Sequence, residues 1–226
     1  IVHALAKLEE SPDKFHDVLL NVLNRTVSTY TDRRLVEYIV NKNVMSYVKG
    51  LGTENIEEID PIFREWVHQP NLVAAYDELC NTNKKLSKGQ PGIPFTFRDV
   101  KGDEVSLSDF KGKYVYIDIW ATWCGPCNAE IPHLKKLEKQ FEGRNICFVS
   151  ISSDRSREVW EKFVKNRKLG GIQLHMGNDR KFMKEICCYG IPHFLLIDRD
   201  GNFINANMLR PSDPKTREIL KGLEGI

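Results

Sequence analysis

Residues 114–120 read Tyr-Val-Tyr-Ile-Asp-Ile-Trp, a nearly continuous apolar run that leads directly into Ala121-Thr122-Trp123-Cys124-Gly125-Pro126-Cys127. Such a run fits a central parallel strand buried on both faces. Apolar residues then recur at helical spacing from about Cys127 to Phe141. A buried strand passing straight into a helix commits this part of the chain to a packed α/β sheet, because the strand needs a layer on each side.

The surrounding pattern extends the sheet. Residues 95–98 and 104–107 flank Asp99-Val100-Lys101-Gly102-Asp103 as a hairpin would. Strands are expected at 146–151, 194–197 and 203–206, with an Asp200-Gly201 turn before the last. Helices are expected at 157–168 around Trp160 and Phe163, at 179–187, and at 216–223. Strands alternating with helices place helices on both faces of the sheet. Residues 87–92, rich in Gly, Pro and Lys, read as a linker before this region.

Residues 1–86 carry a different period. Phe15, Val18, Leu19, Val22, Leu23, Val27 and Tyr30 mark one helix, with Ser11 as N-cap and Pro12 at its first position. Leu35, Val36, Ile39, Val40, Val44, Tyr47 and Val48 mark a second helix from Asp32 to Lys49, which Gly50 and Gly52 stop. A short segment, 55–67, is interrupted by Pro61. Pro70 breaks the chain again, and Asn71 caps a last helix through Leu72, Val73, Tyr76 and Leu79. No set of residues in this half converges on a site. The expected organisation is a helical module at 1–86 and an α/β domain at 87–226.

Composition excludes several classes. With 33 Lys and Arg against 31 Asp and Glu, the net charge of +2 gives no footprint for nucleic acid. No apolar run approaches the roughly 20 residues that span a bilayer. Six cysteines in 226 residues are too few for a disulfide scaffold, so their positions carry the information.

Cys124 and Cys127 sit where strand becomes helix. The unpaired N–H groups and partial positive charge of a helix N-terminus favour a thiolate there, and the thiolate is the nucleophile. Cys124, leading the helix, is expected to be the exposed attacking sulfur, and Cys127, one turn in, the shielded resolving one. Two blander readings exist. A zinc site needs four ligands, and no second spaced pair supplies them, since Cys187 and Cys188 are adjacent. A structural disulfide over two intervening residues restrains little chain entropy. Asp118 lies within the apolar strand, where a charged carboxylate is costly, so its pKa should be raised. Glu130, three residues after Cys127, shares its helix face. Cys80 and Cys147 read as small buried hydrophobes. Cys187 and Cys188 read as inert thiols, with a vicinal disulfide or second redox pair as the alternative.

The stretch from Asp118 to Cys127, followed by Glu130 and Pro132, resembles the active-site region of the thioredoxin superfamily. Lys111-Gly112-Lys113 before the strand, and Ile191-Pro192 before Phe194-Leu195-Leu196-Ile197-Asp198, are similar to the TlpA/ResA-like (AhpC/TSA-type) branch. The likeness covers about residues 88–226. More loosely, residues before it resemble the helical region of long Bacteroidetes-type members. The resemblance implies a thioredoxin-like fold, a central mixed sheet flanked by helices, preceded by an all-α module. It implies that Asp118 is the buried acid that exchanges a proton with Cys127, that Glu130 tunes the thiols, and that Pro132 shapes the helix. It implies a cis Pro192 facing the dithiol, with the Ile191 backbone pairing with a bound peptide. His193 departs from the Thr common at its place. Trp123, Gly125 and Pro126 would complete the substrate surface.

The expected function is thiol-disulfide oxidoreductase, reducing protein disulfides through a Cys124–Cys127 couple with no other cofactor and no metal. Its partners would be protein disulfide or dithiol substrates and an upstream thiol donor, with no nucleic acid. The branch implies a periplasmic or membrane-anchored extracytoplasmic location, and the first residue, Ile1, fits an exported precursor carrying any tether upstream. A thiol peroxidase would instead need a lone Cys in a Pro-rich loop. A copper- or partner-binding module would need ligands such as His133 and His193 grouped around Cys124 and Cys127.

Overall fold

A computed structural model describes residues 12–53, 55–177 and 179–226, excepting the side chains of 12–14. Ser11, the expected first N-cap, lies outside the described residues. The chain divides into two compact units, 1–84 and 85–226.

In the first unit, α1 spans Pro12–Thr29, α2 Arg33–Leu51, α3 Asp60–Trp66 and α4 Pro70–Lys84, with a 3₁₀ turn at Ile56–Glu58. The Asp32 carboxylate accepts the N–H groups of Arg34 and Leu35 and caps α2. Val36, Val40, Val44 and Val48, spaced four apart, form its buried stripe. Leu35, expected in that stripe, is 40% exposed, because the four valines already occupy the packed face. Phe63 and Tyr76 stack at 4.0 Å between ring centroids. Neither proline interrupts a helix. Pro61 sits in the first turn of α3, and Pro70 opens α4, where a missing N–H costs nothing. The expected Asn71 cap is therefore replaced. The Gln69 carbonyl accepts from Leu72 and Val73, while Glu37 accepts the His68 and Gln69 N–H groups.

The second unit contains β1 Thr96–Asp99, β2 Glu104–Ser106, β3 Tyr114–Trp120, α5 Gly125–Gln140, β4 Ile146–Ser152, α6 Arg157–Arg167, β5 Ile172–His175, α7 Arg180–Glu185, β6 His193–Ile197, β7 Phe203–Asn205 and α8 Pro214–Lys221. They build one seven-stranded mixed sheet in the order β2-β1-β5-β4-β3-β6-β7. β3, β4 and β5 run parallel, and β6 pairs antiparallel with β3. Every residue of β3 is buried, as a strand near the centre of the sheet requires. Tyr116, Phe148, Phe194 and Leu196 from the sheet pack with Leu134, Leu137 and Phe141 of α5 and Leu220 of α8.

Two sequence expectations change. Residues 172–175 form β5, a strand the sequence pattern does not announce, since Ile-Gln-Leu-His is short and lies close to Gly170, Gly171 and Gly177. Residues 87–92 are not a free linker. Gly89 and Gly92 donate to the carbonyls of Phe203 and Gly201, and Phe203 donates to Gln90, so the segment satisfies the open edge of β7.

Candidate active site

β3 ends at Trp120, and the chain makes one short turn before α5 starts at Gly125. The helix begins earlier than the apolar period suggests, because Cys124 itself is the N-cap and its sulfur accepts the Cys127 N–H at 3.2 Å. Pro126 falls in the first turn, where no N–H is needed. Cys124 and Cys127 are joined by a disulfide. Trp120, Ala121, Trp160 and Val164 surround the pair, with Phe163, Leu169 and Ile191 at its margin.

One expectation about the pair is corrected. Cys124 is 4% exposed and Cys127 is 3%, so in the disulfide form the cysteine expected to attack is as covered as the one expected to resolve. Packing explains this, since the Ile191 carbonyl oxygen lies 3.7 Å from Cys124 Sγ. The residue that stands out is Trp123, at 71% exposed.

The turn is held from β4. Asp154, buried just beyond that strand, accepts the Thr122 N–H at 2.9 Å, the Thr122 hydroxyl at 2.7 Å and the Ser152 hydroxyl at 2.7 Å. Asn128 of α5 donates to the Thr122 carbonyl at 3.0 Å, and Ser153 N–H donates to the Trp120 carbonyl at 2.8 Å. His175 Nε2 meets the Asp154 carbonyl at 2.8 Å, and its ring stacks on Trp160. Sequence reasoning missed Asp154. The signal available was a second acid just after an apolar strand, which acquires meaning only when β3 and β4 are paired.

Asp118 pairs in register with Ser150 of β4 and is 9% exposed. Burial, then the charge of Glu130, pushes its pKa up to about 8, against a hydrogen bond with Ser150 that lowers it. Glu130, also buried, is committed elsewhere: its two oxygens accept the Ser212 hydroxyl at 2.8 Å and the Ser212 N–H at 2.9 Å. It therefore anchors the loop before α8 while its charge acts on Asp118.

The Ile191–Pro192 peptide is cis. His193 begins β6 opposite Ile119, and burial lowers its pKa to about 4, so it is neutral near pH 7. Cys187 and Cys188 are buried free thiols, and burial pushes Cys188 up to about 12. Cys80 and Cys147 are free and half-buried rather than fully buried. Among the described residues, no group of three or more His, Cys, Asp or Glu side chains could hold a metal ion.

The Redoxin family model matches residues 87–221. The chain belongs to the redoxin family. Within it, this redoxin is a TlpA/ResA-like thiol-disulfide oxidoreductase with the thioredoxin fold. The thiol-disulfide oxidoreductase ResA of Bacillus anthracis is 28% identical over 150 residues, 65% of this chain and 82% of its own. ResA of Bacillus cereus is 26% identical over 146 residues, again 65% of this chain and 84% of its own. Among solved structures, the thioredoxin domain of a Bacteroides vulgatus thiol-disulfide oxidoreductase is 31% identical with a TM-score of 0.56, covering 60% of this chain and 96% of that one. A thiol:disulfide interchange protein from a Bacteroides species is 30% identical with a TM-score of 0.56, covering 62% and 93%.

Proposed function

We propose that this redoxin reduces disulfides in protein substrates. The observation that carries the reading is the Cys124–Cys127 pair at the start of α5, with the Ile191 carbonyl 3.7 Å from Cys124 Sγ and Trp123 exposed beside it. In the reduced protein, the Cys124 thiolate attacks one sulfur of a target disulfide, forms a mixed disulfide and releases one target thiolate. Asp118 in its ionised form, whose share grows as pH approaches its pKa of about 8, takes the proton from Cys127, whose thiolate then attacks Cys124 Sγ and releases the second target thiolate. The two released thiolates take up protons, and two electrons have passed from the Cys124–Cys127 dithiol to the target. Trp123, Gly125, Pro126 and the Ile191–Pro192 backbone bound the surface where an extended substrate segment would lie. Glu130 sets the field around Asp118 and fixes the loop at Ser212.

The couple needs no cofactor beyond its own disulfide, and an upstream thiol donor returns it to the dithiol. The family resemblance supports an extracytoplasmic, periplasmic setting. None of the described helices is long and apolar enough to cross a membrane, so a tether would have to come from outside them.

Insulin reduction compares the wild type with Cys124→Ser. Turnover is expected only in the wild type, and equal activity would end the proposal. The potential of the couple fixes the direction: a value near thioredoxin's roughly −270 mV marks a reductant, and one near the roughly −120 mV of DsbA an oxidant.

A further inference from the structure

α5 and the sheet border a small, partly open cavity of about 10 Å³, room for the centre of a single water molecule. Asp118 of β3, Ser150 of β4 and Gln173 of β5 line it from the sheet, and Ile131, Leu134 and Glu138 from α5. Ile131, on the cavity wall, is one turn beyond Cys127 on the same helix. Gln173 is only 7% exposed. Its amide nitrogen donates to the Gly170 carbonyl at 2.7 Å, while its Oε1 is buried with no protein partner. A buried amide oxygen in that position calls for a donor, and a water in the cavity supplies one.

Glu138 is the second acid on the cavity wall, and it is half-buried, so it also reaches solvent. Its carboxylate packs against Gly170 and Gly171. A methyl group at Gly170 would come within 2.5 Å of Glu138 Oε2. The mechanism above leaves a proton on Asp118 that must leave before the next cycle, and Asp118 is sealed under α5.

We propose that a water bound by Gln173 Oε1 in this cavity passes the proton that Asp118 takes from Cys127 on to Glu138, and from there to solvent. The proposal rests on the role of Asp118 in the preceding reading. In each cycle the Cys127 S–H bond breaks, an O–H bond forms on Asp118, and the same proton count leaves through Glu138. No redox step is added. The other groups facing Asp118 do not offer this exit. Tyr116 donates to the Leu209 carbonyl, Glu130 is engaged by Ser212, and Lys135 donates to the Arg167 carbonyl. Burial holds Asp118 at about 8 and Glu138 at about 7, the latter opposed by Lys135, so transfer between them crosses a small gap near neutral pH.

The test mixes the reduced full chain with stoichiometric dithiobis(nitrobenzoate). The first thionitrobenzoate released reports attack by Cys124, and the second reports resolution by Cys127. Glu138→Gln and Gly170→Ala are expected to slow the second phase several-fold and change its pH profile, leaving the first phase unchanged. Gly170→Ala keeps the charge of Glu138 but displaces the carboxylate. Asp118→Asn should slow the second phase, with no further loss on adding Glu138→Gln. Second-phase profiles of both Glu138→Gln and Gly170→Ala that superimpose on the wild type would overturn the relay, as would an effect of Glu138→Gln alone, which would mark a charge effect. A Cys124→Ser protein that retains the first phase would instead overturn the underlying reading.

Discussion

Asp118 is a carboxyl group buried in a strand, and in the proposed mechanism it exchanges a proton with Cys127. Its pKa is 3.8 in an exposed setting and about 8 in the folded protein. Between these values the unfolded chain has lost the proton and the folded one keeps it, so stability falls as pH rises from about 4 to about 8. Each pH unit of that span is worth roughly 1.4 kcal/mol. Asp118→Asn removes the penalty. Urea unfolding at pH 8 should show the variant more stable than the wild type, with the difference shrinking toward pH 4, while its resolving step is slower. A variant no more stable at pH 8 would mean that Asp118 is solvated. The position of Asp118 was legible because a lone acid in an apolar strand is conspicuous. Glu138 and Gln173 were not, because each looks like ordinary surface chemistry in its own segment. They meet only across α5 and β5.

The working element is the junction of β3 and α5, and it is held in place from β4. A helix N-terminus offers unpaired N–H groups wherever it occurs. Here Cys124 fills the cap position, so the same geometry that ends the strand also favours a thiolate. Asp154 fixes the preceding turn through three hydrogen bonds to Thr122 and Ser152. Removing a buried acceptor strands its donors at about 1–3 kcal/mol. Asp154→Ala should therefore lower stability by about 2–3 kcal/mol in urea titration and slow the first thiol-exchange phase, because Cys124 is no longer held at its cap. An unchanged first-phase rate would show that α5 alone positions the cysteine. The cysteine pair and its helix were readable from local pattern. This buttress was not, since it joins segments about 30 residues apart, a separation set by the parallel β3–β4 pairing.

At the scale of the whole molecule, two units share one chain, and Cys124 and Cys127 lie in the second. The Redoxin match spans 87–221, and the second unit spans 85–226. It has its own sheet, its own packed core around Tyr116 and Phe148, and an edge closed by residues 89–92. Residues 85–226 expressed alone should give a single cooperative urea transition and retain insulin reduction. Loss of cooperativity would show that the helical unit contributes to that core. The segment 89–92 has to remain in such a fragment, because without it β7 presents unpaired backbone groups.

The sequence by itself determined the class of fold and singled out Cys124 and Cys127. Period-two and period-3.6 patterns are local, and a cysteine pair at a strand-to-helix step carries its helix N-terminus with it. Tertiary structure alone decided the rest. It showed that β5 is a strand, because a short segment becomes one when β4 and β1 offer it partners. It covered Cys124 with the Ile191 loop, committed Glu130 to Ser212, and set Asp118, Gln173 and Glu138 around one cavity. Such arrangements depend on which distant segments pack together, and no local pattern encodes that.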